Sequence, residues 1–180
     1  MLNKVNEFVT ESFGKENLHL TRTLYWIEKM KSDASEELRI AASSHDIERA
    51  FQSEADSSKK FNYNWGEAME KHQVESGIIM FDFLLKAGYD PKKAERVREL
   101  VSKHEVGGDA EQNLLKDADS LSWLEISVPR HVNFIEEKGL EKEELKKKID
   151  FMYNRITSEK AKEIAGSFYE NAINLLDKVE

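Results

Sequence analysis

Apolar residues recur at spacings of three and four along almost the whole chain, the period of helices that bury one face and expose the other. Only two prolines and eight glycines interrupt that pattern in 180 residues, which predicts an all-α fold. A first helix is expected over about residues 3 to 12, broken by Gly14. Asn17 is placed to cap a second, with Leu20, Leu24 and Ile27 on one face and an end near Lys31. In Asp33-Ala34-Ser35-Glu36 an acceptor precedes Glu by three residues, predicting a third helix there that turns Leu38, Ala41 and Ala42 inward and reaches His45. Residues 52 to 65 lose the period and gather Ser, Asp and Asn, so they predict the one long loop, with Tyr63 and Trp65 in it. A fourth helix follows from about Gly66 to Ala87, with Val74, Gly77, Ile78, Phe81 and Leu85 as its core stripe, and stops at Gly88. Asp90-Pro91 caps and opens a fifth, carrying Ala94, Val97, Leu100 and Val101. Gly107-Gly108-Asp109 turns the chain into a sixth, with Leu114, Leu115, Ala118 and Leu121, before Pro129 interrupts the pattern. Helices near 130 to 138, 141 to 156 and 159 to 179 are charged and show no obvious chemistry, so they predict packing support.

The length fits one domain, and 39% hydrophobic with 34% charged residues suits a soluble globular protein. A net charge of −8 argues against a broad grip on nucleic acid backbone or anionic lipid and leaves small ligands open. Without cysteine, disulfides, thiolate zinc sites, iron–sulfur clusters and a thiol nucleophile are excluded. The polar N-terminal residues, and the want of any run near the roughly 18 apolar residues of a membrane span, predict a cytoplasmic protein that engages no membrane.

Ionisable residues that fall on apolar faces carry the chemical information, because burying a charge costs several kcal/mol unless something satisfies it. His45 and Asp46 follow Ala41 and Ala42 at helical spacing, with small Ser43 and Ser44 beside them. Such neighbours lie about 100° apart on a helix and can converge on an ion seated beside it. His19 borders the Leu20, Leu24 and Ile27 stripe, and His104 ends the Ala94, Val97, Leu100, Val101 series. Asp119 stands between Leu115 and Trp123 in a strongly hydrophobic stretch. His72 opens the fourth helix and is the least clearly buried of the set; His131, after Pro129-Arg130, is assigned to the surface. Taken singly, each inward histidine or aspartate reads as a hydrogen-bonded core residue. Together on separate core faces they point to one divalent-metal site, and nitrogen and oxygen donors suit Mn, Fe, Zn, Co or Ni without choosing among them.

The ordered set His19, His45-Asp46 in Ser-Ser-His-Asp-Ile, and Asp119 in Asp-Ala-Asp-Ser-Leu resembles the HD-domain superfamily of metal-dependent phosphohydrolases. His19-Leu20-Thr21-Arg22 also reproduces an arginine that often follows the family's first histidine. The likeness covers a motif-bearing core of about residues 17 to 126, with a helical extension over about 127 to 180 in the same domain. It implies an all-α helical bundle in which His19, His45, Asp46 and Asp119 hold one ion. His72 and His104 resemble the further histidines of the two-metal branch, completing a second ion with Asp46 bridging; in the single-metal branch they bind substrate or stay structural. Where many relatives have Ile-Gly after the doublet, Ile47-Glu48-Arg49 stands here, so no catalytic role carries over to Glu48 or Arg49, and Glu48 is expected at the surface or behind the ligands.

The resemblance implies hydrolysis of a phosphate ester or anhydride, of a nucleotide among others, on a small phosphorylated substrate. Arg22 and Lys103, and less directly Arg49 and Lys71, are the cations near the ligands in sequence that are available to phosphoryl oxygens, while Asp46 or Asp119 is a candidate acceptor for the water's proton. Two other readings stay open: a diiron oxygenase of the same fold, and a metal or nucleotide sensor without turnover. The C-terminal helices are left to shape the pocket or to form a homodimer interface.

Overall fold

The computed structural model describes residues 1–52 and 67–179, the side chains of Glu67 and Ala68 aside, and every regular element among them is helical. Helix α1 (Leu2–Phe13) ends at Gly14, whose φ of +67° most other residues resist. Helix α2 (Leu18–Met30) starts at Asn17, whose side chain accepts from the His19 and Leu20 amides at 3.1 and 3.3 Å. Helix α3 (Glu36–Ser44) is capped by Ser35, which accepts from the Leu38 amide at 3.1 Å; Asp33, the expected acceptor, pairs with Lys31 at 2.9 Å instead. Glu36 is thereby released to hold the N-terminal amine at 2.8 Å and the Tyr89 hydroxyl at 3.0 Å. The chain then tightens into a 3-10 turn, Ile47–Phe51. The expected long loop, with Tyr63 and Trp65, lies outside the described residues apart from Gln52.

Helix α4 (Glu67–Lys86) closes at Gly88, with φ of +80°, and Asp90 caps α5 (Pro91–Val101) by accepting from the amides of Lys92 and Lys93. The buried face of α4 differs from the expected stripe: Val74, Ile78 and Leu85 are exposed, while His72, Gln73, Ser76, Met80 and Leu84 are buried. Gly77 explains the rotation. A Cβ there would stand 3.0 Å from the Arg98 carbonyl oxygen, so this bare point of α4 is the one that lies against α5 and sends Ile78 outward.

Helix α6 (Ala110–Ser122) begins with a capping box between Asp109 and Gln112. Pro129 does not end the helical run that follows. Lacking an N–H, it is accommodated by a π-helical turn, Trp123–Ser127, that leads straight into α7 (Val128–Lys138). Helices α8 (Lys142–Asn154) and α9 (Glu159–Asp177) complete the chain. Helix α2 lies against α3 and α6, α5 against α3 and α4, and α9 against α6, α7 and α8. One hydrophobic cluster runs through them all, from Val5 through Ile27, Leu38, Leu100 and Leu121 to Ile149 and Leu176. No helix among the described residues is long and apolar enough to cross a membrane.

Candidate metal centre

Six side chains from five elements converge between α2, α3, α4, α5 and α6. His19 stands in the first turn of α2, and His45-Asp46 lie where α3 gives way to the 3-10 turn. His72 is on α4, His104 in the turn after α5, and Asp119 on α6. Asp119 Oδ1 lies 3.0 Å from His19 Nε2 and 3.4 Å from His45 Nε2, and those two nitrogens are 3.3 Å apart. Asp46 Oδ1 lies 2.8 Å from His72 Nε2 and 3.7 Å from His104 Nε2. The two halves meet where the His45 and His104 rings stand 4.8 Å apart. His72 is buried, at 8% exposed, as are His45, His104 and Asp119, while His19 and Asp46 are half-buried.

Each histidine is turned by a partner on its far side. A carbonyl only accepts, so the contacts of His45 Nδ1 to Ala42 O (3.1 Å) and of His104 Nδ1 to Val101 O (2.8 Å) put the proton on Nδ1 and leave Nε2 as the inward lone pair. Ser122 donates to the His19 carbonyl at 2.8 Å and so accepts from His19 Nδ1 at 2.9 Å. Glu48 Oε2 meets His72 Nδ1 at 2.5 Å. Glu48 is therefore buried behind a ligand and not at the surface. Carboxylates and carbonyls in these positions fix the tautomer of metal-binding imidazoles.

The two aspartates share a further arrangement: one oxygen faces histidines and the other is held by an arginine. Arg49 Nε donates to Asp46 Oδ2 at 2.8 Å, and Arg155 Nη2 donates to Asp119 Oδ2. Arg155, just past α8, also donates to Glu105 and, at 2.7 Å, to Ser120 Oγ, and its side chain is 7% exposed. Burial alone would raise both aspartates, but Arg155 beside Asp119, and Arg49 with His72 beside Asp46, hold them well below the usual carboxylate range. Burial, reinforced by His45, pushes His104 down to about 4, the neutral form that a metal requires. Burial and Arg49 act against protonation of His72, yet Asp46 and Glu48 outweigh them and bring it up to about 9.

These six residues fit a divalent ion. Their donor atoms form three overlapping triads, His19/His45/Asp46, His45/His104/Asp119 and Asp46/His72/His104, each within 4.8 Å. His104 Nε2 is buried with no hydrogen-bond partner among the described residues, an orientation that costs free energy unless a hydrogen-bond donor or a metal takes the lone pair.

The cations expected from sequence proximity are not brought to this cluster. Arg22 forms a two-point ion pair with Glu125, at 2.5 and 2.6 Å, and lies over the Tyr25 ring; Glu125 also takes the Trp26 indole N–H. Lys103 is exposed, and Lys71, also exposed, pairs with Glu75. Position along the chain misleads here because Lys71 and Lys103 are immediate neighbours of inward histidines and so project about 100° around from them, while Arg22, on the same side of α2 as His19, is captured by Glu125. Arg49 does reach the site. Arg155 and Glu105 complete its charged lining, with Lys148 near enough for their charges to act on it, and packing support is thus too small a role for the C-terminal helices. A signal for the two cations exists: Lys148 and Arg155 lie seven residues apart, in register with the buried Leu145, Ile149 and Met152. His131, expected at the surface, is half-buried between Trp123 and Phe134, with ring centroids 5.4 Å from each. Proline-bearing polar context suggested exposure, but the π-helical turn carries α7 back onto the core.

A family model described as a domain of unknown function, DUF4202, matches residues 3–174. None of the curated proteins matches the sequence. Among solved structures, Bacillus subtilis YpgQ in complex with ADP is similar with a TM-score of 0.70 and 16% identity, covering 100% of this chain and 96% of that one. A predicted HD superfamily hydrolase from an uncultured Thermotogales bacterium is similar with a TM-score of 0.63 and 16% identity, covering 98% and 90%. The all-α fold is thus that of HD-superfamily proteins.

Proposed function

The chain belongs to the DUF4202 family, and for it we propose a metal-dependent phosphohydrolase that cleaves a phosphate ester or anhydride with two divalent ions held by His19, His45, Asp46, His72, His104 and Asp119. The observation that carries this reading is the buried Nε2 of His104, without a hydrogen-bond partner among the described residues and 3.7 Å from the same Asp46 oxygen that His72 meets. An ion bound by such donors lowers the pKa of a coordinated water toward about 7 and polarises a phosphoryl oxygen. The protein's own part is placement. Arg49 and Arg155 leave Asp46 and Asp119 one inward oxygen each, and Ala42, Val101, Ser122 and Glu48 aim the imidazoles. Both carboxylates are held too acidic to be good bases, so they serve as ligands. Arg49, with 38% of its side chain exposed, takes the cationic role at the site mouth that sequence proximity gives to Arg22 and Lys103. A fold neighbour crystallised with ADP is consistent with a phosphorylated ligand.

The test is phosphate release by protein reconstituted with Mn, Fe, Co, Ni or Zn, across phosphomonoesters, nucleotides and pyrophosphate anhydrides. Release from at least one class is expected, lost in Asp46→Ala and kept in the exposed Lys146→Ala. Two bound ions with no release from any class would overturn the hydrolase reading, and oxygen uptake by the iron form would replace it with oxygenase chemistry.

A further inference from the structure

Beside the six ligands lies a carboxylate built as Asp46 and Asp119 are. Glu105 follows His104 in the turn after α5 and is buried, at 9% exposed. Its backbone N–H donates to Gln73 Oε1 of α4 at 3.1 Å, which fixes the turn against that helix. Arg155 Nη1 donates to Glu105 Oε2, as Arg155 Nη2 does to Asp119 Oδ2 and Arg49 Nε to Asp46 Oδ2. In all three, one oxygen is taken by an arginine and the other faces a histidine. For Glu105 that other oxygen, Oε1, lies 3.8 Å from His104 Nε2.

His104 Nε2 therefore faces two carboxylate oxygens, Asp46 Oδ1 at 3.7 Å and Glu105 Oε1 at 3.8 Å. Both distances are too long for hydrogen bonds, and the ring's proton is on Nδ1, given to Val101 O at 2.8 Å. Three atoms that offer only lone pairs thus meet with no proton between them, and they repel unless a cation draws them together. Donors bound to one ion at about 2.0–2.2 Å stand about 3–4 Å apart, so the spacing around His104 Nε2 suits a common ion. Glu105 stands outside the three compact triads and meets the cluster at His104, which fixes the half that it serves. The donor count points to the same half. With Asp46 shared, the half at His19 and His45 has Asp119 as a carboxylate of its own, whereas the half at His72 and His104 has none among the six.

We propose that Glu105 is a seventh donor of the centre, giving Oε1 to the ion held by His72, His104 and Asp46 while Arg155 keeps its other oxygen. The proposal rests on the metal-binding part of the reading above and not on hydrolysis, so phosphate release does not enter its test. The probe is zinc alone, titrated into the full chain in competition with a chelator. Glu105→Gln keeps the size of the side chain and an oxygen for Arg155 but removes the anionic donor. It is expected to leave one ion at wild-type affinity and to weaken the other at least about tenfold. The weakened ion should be the one that His104→Ala loses, so adding Glu105→Gln to His104→Ala should change the remaining ion's affinity by less than about twofold. Glu105→Asp keeps the charge and draws the oxygen back by one methylene; it should weaken the same ion, and it carries the comparison if the Gln variant does not fold. If Glu105 only braces Arg155, the loss passes through Asp119 to the other half, and the remaining ion in His104→Ala weakens instead; that result overturns the proposal, as does unchanged affinity for both ions in Glu105→Gln. A single ion in wild type, weakened by His104→Ala and by Glu105→Gln alike, sustains Glu105 as its donor and removes the two-ion reading.

Discussion

His131 shows how one residue's surroundings set a measurable pH dependence. Burial first, then the nearby charges of Arg130, Lys148 and Arg49, push it down to about 4 from the ordinary 6.5, although its Nδ1 donates to the Ser127 carbonyl at 2.8 Å. Between those values the unfolded chain takes up a proton that the folded chain refuses. The folded state is therefore favoured above about pH 6.5 and loses that advantage as pH falls toward 4, by on the order of 2 kcal/mol once partial exposure is allowed for. His131→Phe keeps a ring between Trp123 and Phe134 and removes the titration. Thermal melts at pH 7, 5.5 and 4 should show wild type losing more stability than the variant across that range, since the acid-sensitive carboxylates are common to both. Parallel losses would mean that His131 titrates normally.

At the scale of elements, α6 and the corner between α8 and α9 are joined by buried polar contacts. Asp117 accepts from the Thr157 and Ser158 amides at 2.8 and 2.9 Å, and Asp119, half a turn on, takes Arg155. Removing one partner from a buried, hydrogen-bonded charge cluster costs about 3–5 kcal/mol, because the partners left behind stay desolvated. Arg155→Ala strands Glu105 and Asp119 and should lower stability by about that amount in denaturant melts. Added Mn or Zn should stabilise the variant more than wild type, because Asp119 then lacks a competing cation. A metal increment equal to that of wild type would show that Arg155 and the ions do not share Asp119. Helix ends are legible where one residue has one physical role: Asn17, Gly88 and Asp90-Pro91 all act as the sequence predicts. The start of α3 was ambiguous because Asp33 and Ser35 are both good acceptors two residues apart. The α4 stripe is not legible because hydrophobicity favours Ile78 for the buried face, whereas close packing favours Gly77, which has no side chain.

For the molecule as a whole, the site gathers residues separated by as much as 100 positions, from His19 to Asp119, and the structure brings all six together. They were legible because an ionisable group on an apolar face needs compensation wherever its partner lies in the chain. Arg155 and Lys148 follow the same rule on α8, but the stretch around them is so charged that two inward cations do not stand out from the solvated ones. Nearness in sequence points to Arg22 and Lys103, but tertiary packing turns one to Glu125 and the other to solvent. The claim that unites the residues is a two-ion centre built half on Asp119 and half on Asp46. The measurement that bears on it most directly is divalent metal per chain, by elemental analysis of untagged protein reconstituted and then freed of excess ion, in wild type and in His104→Ala. About two ions per chain in wild type and about one in the variant is the predicted result. One ion or none in wild type, or the same content in both proteins, would contradict it.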